Sequence, residues 1–128
     1  MIIDKFIKIA ILFGTTAIIL GALGAHSLKE IISSENLTSF NTGVKYQIYH
    51  AILILILSLN NEKFNKNLIK SLTLITIGTI LFSCSIYILS LDKIIDLKLS
   101  FLGPITPIGG TLLIIGWLNL FFAIKKKA

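Results

Sequence analysis

The chain has 128 residues, of which 55% are hydrophobic and 14% are charged, and its mean hydropathy is +0.91. A soluble domain carries about 25% charged residues, so this composition excludes an ordinary soluble domain and indicates an integral membrane protein. The formal net charge is +6, and every basic residue is a lysine. Because Arg is absent and the lysines lie near the ends of apolar segments, the sequence gives no basis for binding nucleic acid.

Four apolar segments are long enough to be membrane-spanning helices, which need roughly 20 residues each. They cover residues 6–25, 44–59, 68–91 and 102–124. The second segment is short because polar side chains open it, and it is therefore expected to begin in the membrane interface. The connections are short, which favours antiparallel neighbours. The sequence thus predicts one all-α domain over residues 1–128, an antiparallel up-down bundle of four transmembrane helices.

The lysines predict the orientation of this bundle. One side carries eight lysines against two acidic residues, Asp4 and Glu62: Lys5, Lys8, Lys63, Lys66, Lys70, Lys125, Lys126 and Lys127. The other side carries four of each sign: Lys29, Lys45, Lys93 and Lys98 against Glu30, Glu35, Asp92 and Asp96. Since lysine-rich loops stay inside the cell, both termini are predicted to be cytoplasmic in a multi-pass protein of the cell membrane.

A cleaved signal peptide is the alternative interpretation of the first segment. Lys5 and Lys8, an apolar run and Gly21-Ala22-Leu23-Gly24-Ala25 resemble its three regions. The apolar run is long for a signal peptide, and cleavage would remove the segment with the clearest packing pattern. A retained first helix is therefore favoured.

Small residues follow one face of the first segment. They are Ala10, Gly14, Ala17, Gly21, Gly24 and Ala25, with Gly24 at the edge of the face. In lipid, small residues let helix backbones approach closely. The spacing fits packing within the bundle, and it also fits a homo-oligomer interface. Gly109 and Gly116, seven residues apart on the fourth segment, form a second flat face and a plausible partner for the first.

Most polar or conformationally special residues are predicted to lie at the outer end of the bundle. The candidate ligand cluster there is His26, Thr42, Tyr46, Gln47, Tyr49, His50, Pro104, Thr106, Pro107, Gly109 and Gly110. The outer half of the third segment adds Ser83, Cys84, Ser85, Tyr87 and Ser90. The inner half is mainly Ile, Leu and Phe, with Trp117 and Asn119 near the interface.

His50 is expected one to two turns below the outer interface and neutral, because desolvation disfavours its charged form. A neutral imidazole bonded to a neighbouring helix, a proton or ligand role, and metal binding are the three interpretations. Only His26, His50 and Cys84 are soft donors, and their spacing is not that of a zinc site. Cys84 has no cationic neighbour in sequence, and the spans contain no acidic residue for acid–base catalysis. No metal, cofactor or catalytic residue is predicted.

Pro104 and Pro107, followed by Gly109 and Gly110, predict a bent or partly unwound start of the fourth helix. One interpretation is a rigid helix start. The other is a half-helix whose free N–H groups bind an anion or a lipid headgroup.

Three segments in order, Gly21–His26, Thr42–Ala51 and Leu102–Gly110, resemble the domain-of-unknown-function 423 family, also called transmembrane protein 256-like or YgdD-like. The resemblance extends over essentially the whole chain, including Phe82–Tyr87, where the family pattern has Gly in place of Cys84. It implies a small multi-pass protein of the inner or plasma membrane. It brings no established reaction, substrate or catalytic residue.

The resulting expectation is a non-enzymatic protein that supports membrane or envelope integrity by binding lipid or a partner protein at its outer end. A homo-oligomer is also compatible with the small-residue face. The alternative is a small transporter or channel subunit, with His50 and the segment 104–111 lining the path. An intramembrane enzyme is the third class.

Overall fold

The structure is a computed structural model that describes residues 1–95 and 100–126. In this part of the chain four long helices are apolar enough to cross a membrane. They are α1 (Ile2–Ala25), α2 (Ser34–Leu59), α3 (Asn67–Ser90) and α5 (Ile105–Ala123), and a short helix, α4 (Asp92–Ile95), precedes the last of them. Asp96, Lys98 and Lys127, which belong to the charge pattern, lie outside the described residues.

The four long helices run up and down, and each packs mainly against the next: α1 on α2, α2 on α3 and, most extensively, α3 on α5. The start of α1, the α2–α3 connection and the end of α5 meet at one end of the bundle, called here the termini end. The end of α1, the start of α2, the end of α3 and the start of α5 meet at the His26 end. The predicted fold, an antiparallel four-helix membrane bundle, is confirmed.

Helix α2 begins at Ser34, about ten residues before the predicted start near residue 44. The Ser33 hydroxyl accepts a hydrogen bond from the Asn36 backbone N–H at 3.1 Å and caps the helix. Gly24, next to the end of α1, faces Phe40. The turns of α2 before Phe40 therefore project beyond the end of α1. They are polar because α1 does not cover them. Ten residues separate Phe40 from His50, which therefore lies about 15 Å further along α2, towards the termini end.

Two clusters of buried apolar side chains hold the helices together. The larger lies in the half nearer the termini and takes residues from all four long helices: Phe6, Ala10, Ile54, Leu57, Leu68, Leu72, Ile75 and Leu113. The smaller lies nearer the His26 end and joins α1, α2 and α3 through Ala17, Phe40, Val44 and Tyr87. Burial of these side chains gives α1 its position mainly through α2.

The closest helix contact is between α3 and α5, and glycines make it possible. A Cβ added at Gly109 would lie 2.5 Å from the Phe82 backbone nitrogen and 2.9 Å from the Gly78 carbonyl oxygen. A Cβ at Gly116 would lie 2.7 Å from Ile75 Cγ1. Gly109 and Gly116 therefore face α3, and not the first helix that the sequence suggested as their partner, because Gly78 supplies the matching flat surface.

The small-residue face of α1 packs against the bundle only in part. Ala10 and Ala17 are buried, and Gly24 is buried against Phe40, where an added Cβ would come within 3.3 Å of the ring. An added Cβ at Gly21 would touch Val44 at 3.4 Å, an ordinary contact. Gly14 has open space around it, and Ala25 is exposed.

At the termini end the last turn of α5 is tied to the α2–α3 connection. The Asn65 backbone N–H donates to the Ala123 carbonyl at 2.7 Å, and its side-chain amide donates to the Phe122 carbonyl at 2.9 Å. The Lys125 N–H donates to the Lys63 carbonyl at 3.1 Å. The carbonyls at a helix end lack hydrogen-bond donors within the helix, and here the α2–α3 connection supplies those donors.

Candidate functional site

The residues predicted to form one outer cluster occupy three different levels of the bundle. His26, Pro104 and Pro107 are exposed at the His26 end. Thr42 donates within its own helix to the Thr38 carbonyl at 3.1 Å. Gln47 lies in the interior between α1, α2 and α3, whereas Tyr46, Tyr49 and His50 lie at mid-depth beside α5. The predicted cluster is therefore not one site.

Gln47 joins three helices through its side-chain amide. Its Nε2 donates to the Phe13 carbonyl at 2.8 Å and to Thr16 Oγ1 at 2.7 Å, both on α1. Its Oε1 accepts from the Tyr87 hydroxyl of α3 at 2.7 Å. Both amide protons and one acceptor position are thus used, so this buried polar group costs little of the desolvation energy that an unpaired amide would. We define Gln47, Thr16 and Tyr87 as the Gln47 network.

Gly43 and Ser83 fix the position of Tyr87 beside this network. A Cβ added at Gly43 would lie 2.8 Å from Tyr87 Cε1, so only glycine leaves room for the ring. The Ser83 hydroxyl donates to the Gly43 carbonyl at 2.8 Å. The Tyr87 ring also packs against Phe40, with 5.0 Å between ring centroids. In the sequence Gly43 stands directly before the predicted second segment, and its partner ring is visible only in the structure.

The two ring nitrogens of His50 both have partners, and these define its tautomer. Nε2 lies 3.1 Å from Trp117 Nε1 on α5. Because an indole nitrogen can only donate, Nε2 is the acceptor and carries no proton. Nδ1, 2.7 Å from the Tyr46 carbonyl, therefore holds the proton and donates it. His50 is 5% exposed and is a neutral, hydrogen-bonded link between α2 and α5.

Trp117 was expected near the interface of the inner half, separate from His50. It is instead bonded to His50. Because α2 begins earlier than predicted, His50 lies further from the His26 end of its helix and is level with Trp117. The sequence pattern could have suggested a partner for His50, since a buried imidazole needs one, but it does not identify which helix provides it.

Beside this link lies a groove between α2, α3 and α5, which we call the mid-depth groove. Its volume is about 610 Å³. Nine residues line it: Tyr46, Tyr49, His50, Phe82, Gly110, Leu113, Ile114, Trp117 and Leu118. The rings of Tyr46 and Phe82 are in contact, with 4.7 Å between centroids. Gly110 leaves the groove open because it has no side chain. A Cβ added there would meet only the Phe82 ring of the groove wall, at 3.7 Å.

The lining of the mid-depth groove is mainly apolar and aromatic. The described residues that line it include no carboxylate, lysine or cysteine, and both His50 nitrogens are bonded within the protein. Within residues 1–95 and 100–126 no three His, Cys, Asp or Glu side chains are grouped so that they could hold a metal ion. An apolar groove with a few polar groups at one side is typical of sites for small apolar or amphiphilic molecules.

Known proteins resemble this chain over nearly its whole length. The family model described as "Protein of unknown function (DUF423)" matches residues 20–110. The chain belongs to this family. The family resemblance stated from the sequence motifs is thereby confirmed, and the matched segment contains the Gln47 network apart from Thr16, as well as the His50 side of the groove.

Members of the family named UPF0382 membrane protein occur in several bacteria. The chain is 35% identical to the Haemophilus influenzae protein, covering 97% of this chain and 96% of that one. It is 40% identical to one from Staphylococcus aureus, covering 96% and 97%, and 38% identical to one from Bacillus subtilis, covering 94% and 96%. No solved structure matches the chain. The chain is thus a membrane protein of a family whose function is unknown.

Proposed function

We propose that this protein is a non-enzymatic membrane protein that binds the acyl portion of a bilayer lipid in the mid-depth groove and thereby supports membrane integrity. The observation that carries the proposal is the groove itself, about 610 Å³ and lined mainly by apolar and aromatic side chains. Volumes of about 300–1,000 Å³ are typical of small-molecule sites.

The depth of the groove supports an acyl chain as its occupant. His50 lies about 15 Å below the level of Phe40, and the hydrocarbon core of a bilayer is about 30 Å thick. The groove therefore faces the acyl layer, where lipid chains are the solvent. Both His50 nitrogens are bonded within the protein, which favours an apolar occupant over a charged one and favours binding over conduction.

The proposal also includes the location and orientation of the protein. The excess of lysines on the termini side supports cytoplasmic termini and residence in the cell membrane. A partner protein or a second copy would have to contact exposed helix faces, and among the described residues both α1 and α5 carry exposed apolar side chains, such as Ile18 and Phe121.

The test fills the groove. In Gly110→Leu the new side chain projects into the groove, since an added Cβ meets only the Phe82 ring. Native mass spectra of the full chain released from nanodiscs of its own lipids are expected to show retained lipid for the wild type. Gly110→Leu is expected to lower the retained fraction about tenfold, because the cavity is filled.

Gly14→Leu is the matched control, because it adds the same side chain to a helix surface with open space. It should retain lipid as the wild type does. Equal lipid retention by Gly110→Leu and wild type, with both folded, would show that the groove is not the binding site.

A further inference from the structure

A second, separate pocket lies at the His26 end between α2, α3 and α5. It has a volume of about 250 Å³ and is lined by Asn36, Ser39, Ile86, Leu89, Ser90 and Thr106. A single water needs only about 10–15 Å³ of such volume, so there is room for a small group of several heavy atoms. We call this the serine pocket.

Ser90 indicates that the serine pocket receives a polar partner. It is 3% exposed, and its hydroxyl has no hydrogen-bond partner among the described residues. Hydroxyls in helices commonly donate to a carbonyl of the preceding turn, as Thr38 and Thr73 do here. A buried hydroxyl without a partner is costly, so a group that reached the Ser90 hydroxyl from the pocket and bonded it would be stabilised.

Thr106 lines the pocket and shares a hydrogen bond with Ser85. The two hydroxyl oxygens are 2.6 Å apart, and either one can be the donor. Ser85 also lies 3.0 Å from the Phe82 carbonyl, to which its hydroxyl can donate. The hydroxyls of Ser39, Ser90 and Thr106 and the amide of Asn36 can therefore each donate and accept.

This combination selects a class of ligand. A phosphate or carboxylate oxygen only accepts and an ammonium group only donates, so neither uses both properties of these side chains. Among the residues described in the structure, none of those that line the pocket carries a charge to compensate either one. We propose that the serine pocket binds an uncharged hydroxylated group, a sugar or glycerol, whose hydroxyls both donate and accept and whose C–H face packs on Ile86 and Leu89.

The position of the pocket fits a lipid headgroup or a free polyol at the membrane surface. Ser90 is the last residue of α3, and Asn36 lies in the first turn of α2. Both lie at the bundle end and not at acyl depth. The inference does not rest on the mid-depth groove, which shares no lining residue with the serine pocket.

The experiment uses the full chain in phosphatidylcholine nanodiscs containing monogalactosyl diacylglycerol, with bound glycolipid measured by native mass spectrometry. Wild type should retain the glycolipid in preference to phosphatidylcholine. Ser90→Ala should bind it about five- to tenfold more weakly, the loss expected for one hydrogen bond. Methyl β-galactoside is titrated in separate nanodiscs without glycolipid. Binding of both probes identifies a general polyol site, and binding of the glycolipid alone identifies a headgroup site.

Ser58→Ala is the matched control, because Ser58 is also buried without a hydrogen-bond partner but lies near the other end of α2. Its glycolipid affinity should equal that of the wild type. Thermal melting of Ser90→Ala should be no lower than wild type, since the substitution removes an unpaired hydroxyl. If neither probe binds above the phosphatidylcholine background, or if Ser90→Ala binds as wild type does, the pocket holds water only and the inference is overturned.

Discussion

A single glutamine at mid-bundle connects three helices through both the nitrogen and the oxygen of its side-chain amide. Gln47 contacts two acceptors on α1 and one donor on α3. In a bilayer such bonds between helices are worth about 0.6 kcal/mol on average. Removing one partner costs more than the bond, because the remaining group stays buried and unpaired. Gln47 therefore stabilises the position of α1, which packs mainly on α2.

Gln47→Leu is expected to lower the free energy of unfolding by about 1–3 kcal/mol, because it leaves the Tyr87 hydroxyl without an acceptor. The measurement is reversible unfolding of the purified protein in detergent. Adding Tyr87→Phe to Gln47→Leu should restore part of the loss, because the unpaired hydroxyl is then gone. Tyr49→Phe, at a 59% exposed ring, is the control and should have little effect. Strictly additive losses in the double variant would contradict the direct bond.

At the scale of helices, the backbones of α3 and α5 can approach each other closely only because glycines lie at their contact. The Cβ of any other residue at Gly109 would collide with backbone atoms of α3, which cannot rotate away as a side chain can. Gly14 offers the opposite case, a glycine in a helix with no neighbour at the Cβ position. The same residue type is therefore essential for packing on one helix and dispensable on another.

Gly109→Ala should separate α3 from α5 and lower the unfolding free energy by about 1–3 kcal/mol, the range of overpacking. Gly14→Ala should be neutral or stabilise by up to about 1 kcal/mol, through helix propensity alone. Thermal melting in the same detergent compares the two variants directly. Similar melting temperatures for both would mean that α3 and α5 do not approach as described.

The glycine contacts also show how far sequence reasoning extends. The presence of four spans follows from hydropathy, and close packing at Gly109 and Gly116 follows from residue size. The identity of the partner helix does not follow from the sequence, because residue size carries no information on which helix a small residue faces. The predicted start of α2 was too late because its first turns project from the bundle and are polar. His50 therefore lies further from the His26 end of its helix than the predicted boundary implied. Its bond to Trp117 is a tertiary contact that no local pattern contains.

At the scale of the whole molecule, the up-down path places both ends of the chain on one side of the membrane, and the lysine bias predicts that this side is cytoplasmic. In a Cys84→Ala background, Glu35→Cys at the His26 end and Glu62→Cys at the termini end are both exposed positions. A membrane-impermeant maleimide applied to intact cells should label the first and not the second.

Lysed cells provide the control, in which both cysteines should react. Labelling of Glu62→Cys alone in intact cells would invert the orientation. The fold places one span, α2, between the two sites, so they must lie on opposite sides of the membrane. Labelling of both cysteines in intact cells would contradict this fold.

The order of helix contacts bears on how the protein is made. Because α2 packs on α1, α3 on α2 and α5 on α3, each span released during synthesis finds its partner already inserted. Domains generally fold in the order of their synthesis. The last step differs, because Asn65 donates to the carbonyls of Phe122 and Ala123 and the Lys63 carbonyl accepts from the Lys125 N–H. The α2–α3 connection therefore waits for the end of α5, and the synthesis of this last span becomes the event that closes the bundle.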